Sequence, residues 1–198
     1  MTGISRRRGG RASWWCAGAV LAAACGGRAA SKNGVDPTAS RVVPFASAIV
    51  LETAGPPPAD TSVTFTAGEL HVIVLRHGPP ENVVFAELMF PPSAFQADSG
   101  RPVRVEVRPR PGVYGLALTT SAPLGKGATV VFKYARYFSA PLRARADYGS
   151  DVLYERALAI GEVQAGGTLA LMPSTRPVAD NLQAVLPAAG TYVVAAAK

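Results

Sequence analysis

The chain has 198 residues, of which 48% are hydrophobic and 17% are charged, and its formal net charge is +7. This composition supports one domain with a buried core, and it excludes both a disordered charged tail and a coiled coil, which need many more charged residues. With two cysteines and two histidines, the sequence also excludes a disulfide-stapled scaffold and a zinc module with Cys and His ligands.

The first 24 residues have the pattern of an export signal. Four arginines and no acid precede an uncharged apolar stretch of 13 residues, ASWWCAGAVLAAA, at positions 12–24. A basic start followed by a short apolar segment is typical of a signal peptide. The stretch is too short for a helix that crosses a bilayer, which needs about 20 apolar residues. We therefore predict a signal peptide over residues 1–24.

Small residues lead up to Cys25, and two glycines follow it. The run LAAAC at positions 21–25 resembles the lipobox of bacterial lipoproteins. The resemblance implies cleavage before Cys25, a diacylglycerol on its thiol and a fatty acyl group on the new amine, so that the membrane is a partner through the lipid. Because Gly26 rather than an acid follows, the outer membrane is favoured over the inner. Ordinary secretion after Ala24, without lipid, is the alternative.

Removal of the signal changes the charge of the chain. Four of the 20 basic residues precede Cys25, whereas all 13 acids follow it, so the formal net charge falls from +7 to +3. A strongly basic total is typical of nucleic-acid binding, but here much of it belongs to the signal, and we expect no nucleic-acid partner. Residues 25–41 are small and polar without periodicity, which predicts a lipidated cysteine and flexible tether before a single domain over residues 42–198.

From Val42 onward, short apolar segments alternate with Gly and Pro turns, which predicts strands. The clearest segment places Val103, Val105 and Val107 between charged residues. This period of two predicts a strand with the valines in the core and with Arg104 and Arg108 in solvent. The other predicted strands span residues 42–51, 62–66, 71–75, 83–90, 114–119, 129–138, 168–172 and 191–196.

The segment from Ser150 to Ile160 fits two structures. It could be a helix with Ser150 as N-cap and an apolar stripe that includes Leu153 and Ala157. It could equally be the first arm of a hairpin that turns at residues 165–167. We favour the hairpin because it suits an all-β chain, which leaves the domain with at most one short helix.

About nine or ten such strands predict an all-β fold, an antiparallel β-sandwich. The layout of residues 83–134 also resembles the ZU5-like sandwiches of envelope and adaptor proteins. An apolar strand leads to the loop FPPSAF at 90–95, then to the alternating strand 103–107 and the turn YGL at 114–116. The resemblance implies an immunoglobulin-like or ZU5-like sandwich, in a family of interaction and structural modules with no catalytic residues to transfer.

Residues that could carry catalysis or bind a metal are few. We interpret His71 as a half-buried strand residue and His77 as a loop residue. Three acids are spaced by four, and in a loop Asp147 and Asp151 with Ser150 could bind calcium through their oxygens, but neighbouring arginines favour loop ion pairs. The acids are Asp147, Asp151 and Glu155, and the arginines are Arg143, Arg145 and Arg156. We predict no catalytic residue, no cofactor and no metal.

Aromatic residues beside an arginine give one candidate ligand face. On the predicted strand 129–138, Phe132 and Tyr134 are interpreted as core, on the same face as Arg136. We predict a possible ligand face formed by Arg136, Tyr137 and Tyr148, suited to a sugar or a protein partner.

These features predict a lipid-anchored protein of the bacterial cell envelope, acting as a non-enzymatic binding or structural module with an envelope protein or polysaccharide partner. One alternative is an envelope carbohydrate hydrolase with carboxylates from separate loops. Another is a plainly secreted adhesion domain.

Overall fold

Two antiparallel β-sheets pack face to face in the computed structural model, which describes residues 40–198. The all-β sandwich expected from the sequence is confirmed. The predicted signal peptide and Cys25, and most of the predicted tether, lie outside the described residues. Within residues 40–198, no helix is both long and apolar enough to span a membrane.

The described residues form twelve strands and two short α-helices. In chain order the strands are β1 (Arg41–Pro44), β2 (Ala48–Val50), β3 (Thr61–Thr66), β4 (His71–Arg76), β5 (Val84–Phe90), β6 (Pro102–Pro109), β7 (Gly115–Thr120), β8 (Thr129–Lys133), β9 (Ala159–Gln164), β10 (Thr168–Leu171), β11 (Asn181–Val185) and β12 (Gly190–Ala197). The helices are α1 (Leu142–Tyr148) and α2 (Asp151–Ala157). The larger sheet has the order β1-β10-β9-β12-β7-β6-β3, with β2 also paired to β12, and the smaller sheet has the order β11-β8-β5-β4.

Strand β6 has the predicted register. Val103, Val105 and Val107 are at most 1% exposed, whereas Arg104 and Arg108 are exposed. Since side chains alternate between the faces of a strand, this one register places all five.

The main core fills the space between the sheets and is rich in aromatic rings. Phe85 of β5 lies parallel to Tyr114 at 5.3 Å between centroids and edge-on to Phe132 of β8 at 5.7 Å. Tyr114, Phe132 and Tyr134 are fully buried, which confirms Phe132 and Tyr134 as core residues.

The predicted first strand, 42–51, divides into two. β1 pairs with β10, whereas β2 pairs with β12, and a single 3-10 turn at Phe45–Ser47 makes the change of partner. A second apolar cluster, which includes Val43 of β1, Leu169 of β10 and Val193 of β12, packs along this part of the larger sheet. A single straight strand was wrong because its two halves pair with different strands, β10 and β12, and the 3-10 turn between them redirects the chain.

The predicted strand 129–138 ends early, at Lys133. Tyr134 has a helical backbone (φ −104°, ψ −9°), and a 3-10 turn follows at Ala135–Tyr137. The alternation of a strand therefore does not apply to Arg136 and Tyr137, and the predicted shared face of Tyr134 and Arg136 was wrong.

The segment 150–160 is the helix α2 over most of its length, so the favoured hairpin arm was wrong there. The Ser150 side chain caps the helix by accepting a hydrogen bond from the Leu153 amide (3.2 Å), and Tyr154 is fully buried. The hairpin turn at residues 165–167 is confirmed, but it joins β9 to β10 and its first arm begins only at Ala159. With α1 preceding α2, the expectation of at most one short helix was also wrong.

Candidate functional site

Arg136 and Tyr137, two residues of the predicted ligand face, both bind Glu81. The Arg136 guanidinium donates through Nε and Nη2 to the two carboxylate oxygens, at 2.7 and 2.6 Å, and the Tyr137 hydroxyl donates to Oε2 at 3.0 Å. The guanidinium carbon lies 5.6 Å from the centre of the Tyr137 ring. We call Glu81, Arg136 and Tyr137 the Glu81 clasp.

The clasp joins two connections that are remote in sequence. Glu81 belongs to the loop between β4 and β5, and the other two residues follow β8. The loop is also closed on itself, because the His77 amide donates to the Val83 carbonyl at 2.9 Å. The clasp therefore fixes the 77–83 loop against the segment that leads to α1.

The contacts within the Glu81 clasp shift the pKa values of its residues. The pKa of Glu81 lies below its ordinary value, chiefly because Arg136 donates to the carboxylate and secondly because Tyr137 does. Removal from water raises the pKa of Tyr137, and the hydrogen bond to Glu81 raises it further. The Arg136 donors that could bind a carboxylate or phosphate in a bidentate manner already bind Glu81, so such a ligand would have to displace the Glu81 side chain.

His77 lies beneath the clasp and is only 1% exposed. Its Nδ1 is 2.8 Å from the Pro56 carbonyl oxygen, so Nδ1 carries a proton and donates. Its Nε2 is buried without a hydrogen-bond partner in the described part of the chain. The ring packs edge-on against Tyr137, with centroids 4.7 Å apart. His77 is a loop residue, as predicted, but it is buried rather than available to a ligand.

Gly55 lets these rings pack closely. A Cβ at this position would lie 2.6 Å from two ring carbons of Tyr137 and 2.7 Å from Cε1 of His77. Only glycine leaves room for both rings, because contacts this short are repulsive. Neither Gly55 nor Glu81 was picked out from the sequence. The Gly-Pro segment at 55–58 and the two prolines before Glu81 indicate loops. The contacts of these loops with residues 136 and 137, which are more than 50 positions away, leave no pattern in the neighbouring sequence.

Tyr148, the third residue of the predicted face, lies in a different environment. Its hydroxyl donates a hydrogen bond to the Ala197 carbonyl at the end of β12, and its ring packs on Tyr154 at 5.7 Å. Burial raises its pKa. Among the described residues no hydrogen bond or ring contact joins Tyr148 to Arg136 or Tyr137, so the structure does not bring the three together.

The three acids that are spaced by four in the sequence each contact a different side chain. Asp151 accepts two hydrogen bonds from Arg145, at 2.7 and 3.0 Å, and Asp147 forms an ion pair with Lys198 at 3.3 Å. Glu155 accepts from the buried Tyr134 hydroxyl at 3.0 Å, where burial raises the tyrosine pKa to about 12. The predicted ion pairing with arginine is confirmed for Asp151 alone, and these residues lie in helices rather than a loop.

His71 is a half-buried strand residue, as predicted. It begins β4, and its ring stacks on Phe65 at 4.0 Å between centroids. Within residues 40–198, no group of three or more His, Cys, Asp or Glu side chains is placed to hold a metal ion.

Comparison with known proteins gives no relative: no family model, no curated protein and no solved structure matches this chain. A functional proposal therefore depends on the residues of the chain itself.

Proposed function

We propose that the protein is a lipid-anchored β-sandwich of the bacterial cell envelope and acts as a non-enzymatic binding or structural module. The observation that carries the proposal is Cys25, which directly follows an apolar stretch of 13 residues and small side chains. The thiol of a cysteine in this context is the acceptor of diacylglycerol in bacterial lipoproteins. Gly26 after the cysteine favours the outer membrane.

A module is favoured over an enzyme because several polar side chains that could perform chemistry are held by their neighbours. Glu81 fills the Arg136 fork, and Asp151 is bound by Arg145. His77 is shielded by Tyr137. A general acid or base must reach its substrate within hydrogen-bonding distance, and each of these groups instead supports a loop or helix. The partner is an envelope protein or a polysaccharide.

The anchor is tested by labelling cells with a radioactive fatty acid and separating membranes from soluble protein. The wild-type chain should carry label, begin at residue 25 and leave the membrane only with detergent, because several acyl chains together anchor stably. Cys25→Ser should be unlabelled because it has no thiol to receive the lipid, and its processing should stall or shift to the small-residue site at 22–24 and yield soluble protein. Cys16→Ser is the matched control and should behave as wild type. An unlabelled, soluble wild-type chain would refute the anchor.

The module is tested with purified protein and insoluble cell-wall polysaccharide. Binding without release of new reducing sugar ends, or specific co-purification of an envelope protein, is the expected result. Catalytic release of reducing ends would refute the non-enzymatic proposal and favour a hydrolase.

A further inference from the structure

The two helices expose apolar side chains on their outer faces. Leu142 is 83% exposed, Val152 is 55% exposed and Leu153 is 43% exposed. The inner positions are Ala144 of α1 and Tyr154 of α2, both fully buried. Since each residue turns a helix by about 100°, a residue two positions away from an inner one points away from the core. Leu142 and Val152 occupy these positions, so they are exposed because of the way each helix is oriented against the core.

Two arginines flank these apolar side chains. Arg143 follows Leu142, and Arg156 lies one helical turn after Val152 on the same side of α2. Both are exposed, and neither forms an ion pair within residues 40–198. Asp147 and Asp151 are paired with Lys198 and Arg145, and Glu155 accepts a hydrogen bond from the Tyr134 hydroxyl. We call Leu142, Arg143, Val152, Leu153 and Arg156 the helical patch.

The chain enters the domain near the C-terminal end of α1, the helix that carries Leu142 and Arg143 of the patch. Arg41, the first residue of β1, donates to the carbonyl oxygen of Lys198 at 3.4 Å. The Lys198 ammonium is 3.3 Å from the Asp147 carboxylate, near the C-terminal end of α1. Leu142 is six residues from Tyr148 at that end, or about 9 Å along the helix. The point where the segment from Cys25 joins the domain and the patch therefore lie at opposite ends of the same helix.

We propose that the helical patch rests on the surface of an anionic phospholipid bilayer, the same bilayer that holds the lipid on Cys25. Leucine and valine side chains enter the interface between headgroups and acyl chains, and arginines bind the phosphates. The sequence of residues 26–40 predicts a tether, and a flexible chain of this length has an r.m.s. end-to-end distance of roughly 20 Å. Such a tether gives the patch a high effective concentration at the bilayer, so a weak contact is sufficient. This inference rests on the proposed lipid anchor.

The test uses the chain from Gly26 to Lys198 without lipid, which contains every residue that the structure describes. It is sedimented with vesicles that contain phosphatidylglycerol and with vesicles of phosphatidylcholine alone, at millimolar lipid. The wild-type chain should bind the anionic vesicles more tightly, and high salt should weaken this binding. Replacing Leu142, Val152 and Leu153 together by Ser should weaken it about tenfold or more. Arg143→Gln with Arg156→Gln should weaken it about fivefold for each arginine.

The matched controls are Val178→Ser with Val185→Ser, both 59% exposed elsewhere on the surface, and Arg101→Gln. These variants should bind as wild type, and circular dichroism should show that every variant is folded. No binding to anionic vesicles, or binding that the patch substitutions leave unchanged, would overturn the proposal. A dimer in light scattering that the patch substitutions dissolve would assign the patch to self-association and also overturn it. Failure of the anchor itself would be seen separately, as loss of fatty-acid label on the full-length chain.

Discussion

Arg136 holds Glu81 through two parallel hydrogen bonds, and this contact joins residues that are 55 positions apart in the chain. It closes the 77–83 loop over the buried imidazole of His77. Because both side chains are on the surface, their attraction is screened by water and salt. The contact therefore holds the 77–83 loop in one conformation more than it stabilises the whole domain.

The first prediction concerns acid. The pKa of Glu81 lies below 4.5, its ordinary value, chiefly because of Arg136. A carboxylate with a lowered pKa in the folded state stabilises the fold above its unfolded pKa, and this stability is lost as the pH falls through the folded pKa. The melting temperature of wild type should exceed that of Glu81→Gln at pH 7. The difference should shrink below about pH 4.5 and in high salt.

Glu69→Gln is the control for this experiment, since Glu69 is exposed and forms no ion pair within residues 40–198. It should show no comparable pH-dependent difference. If the difference in melting temperature between wild type and Glu81→Gln stays constant from neutral to acid pH, the ionised carboxylate does not contribute to the stability of the clasp.

The second prediction concerns Gly55. Gly55→Ala places a Cβ 2.6 Å from the Tyr137 ring, so it should lower the free energy of unfolding by about 1–3 kcal/mol in denaturant titrations. Combining it with Tyr137→Ala should cost less than the two single changes added together, because the smaller side chain removes much of the collision. Gly190→Ala is the control, since the atom nearest to its Cβ would be the movable carboxylate oxygen of Glu162, at 3.2 Å, and the Tyr192 hydroxyl at 3.8 Å is an ordinary contact. Simple additivity of the two substitutions would contradict this packing.

The third prediction concerns the register of β6. Val105→Ala should destabilise the domain by about 1–3 kcal/mol, because Val105 is fully buried and its truncation leaves a cavity. Arg104→Ala should change stability by less than about 0.5 kcal/mol, since the Arg104 side chain is 62% exposed and its ion pair with Glu106 lies on the surface. Chemical denaturation of both variants measures the difference. A larger cost for the arginine would mean that the register is shifted by one.

The fourth prediction concerns the start of α2. Ser150→Ala removes the side-chain acceptor of the Leu153 amide, so it should cost about 0.5–2 kcal/mol. Ser150→Asp should retain most of the stability, because aspartate is an equally good N-cap. If alanine and aspartate behave alike in thermal melts, the segment does not begin a capped helix.

The alternation of buried and exposed residues within one strand was predictable from the sequence, whereas the strands with which each segment pairs were not. The valines of β6 alternate because that strand has one buried face along its whole length. β11 was missed although Leu182 and Ala184 are buried in alternation, because the segment is short and its polar residues resemble a loop. The break at Phe45–Ser47 was missed because it depends on which strands lie beside it.

The candidate site was harder to predict for the same reason. The sequence singled out Arg136 and Tyr137, but their partner Glu81 lies in another loop and has no local signal. Interpreting residues 129–138 as one strand placed Arg136 on the wrong face, and only tertiary packing ends β8 at Lys133. In the segment 150–160, Ser150 and the apolar stripe are compatible with a helix. The helix forms because Tyr154 reaches the core and donates to the Ile49 carbonyl at 3.3 Å.

The contact between Arg41 and Lys198 has a consequence for the connectivity of the domain. Because Arg41, at the start of β1, contacts the last residue, Lys198, a short linker could join the two ends of the domain into a closed ring, and the chain could be opened at another surface turn. The turn at residues 165–167 is suitable, since its side chains are exposed and it carries two glycines with positive φ. We expect such a circular permutant to form the same two sheets.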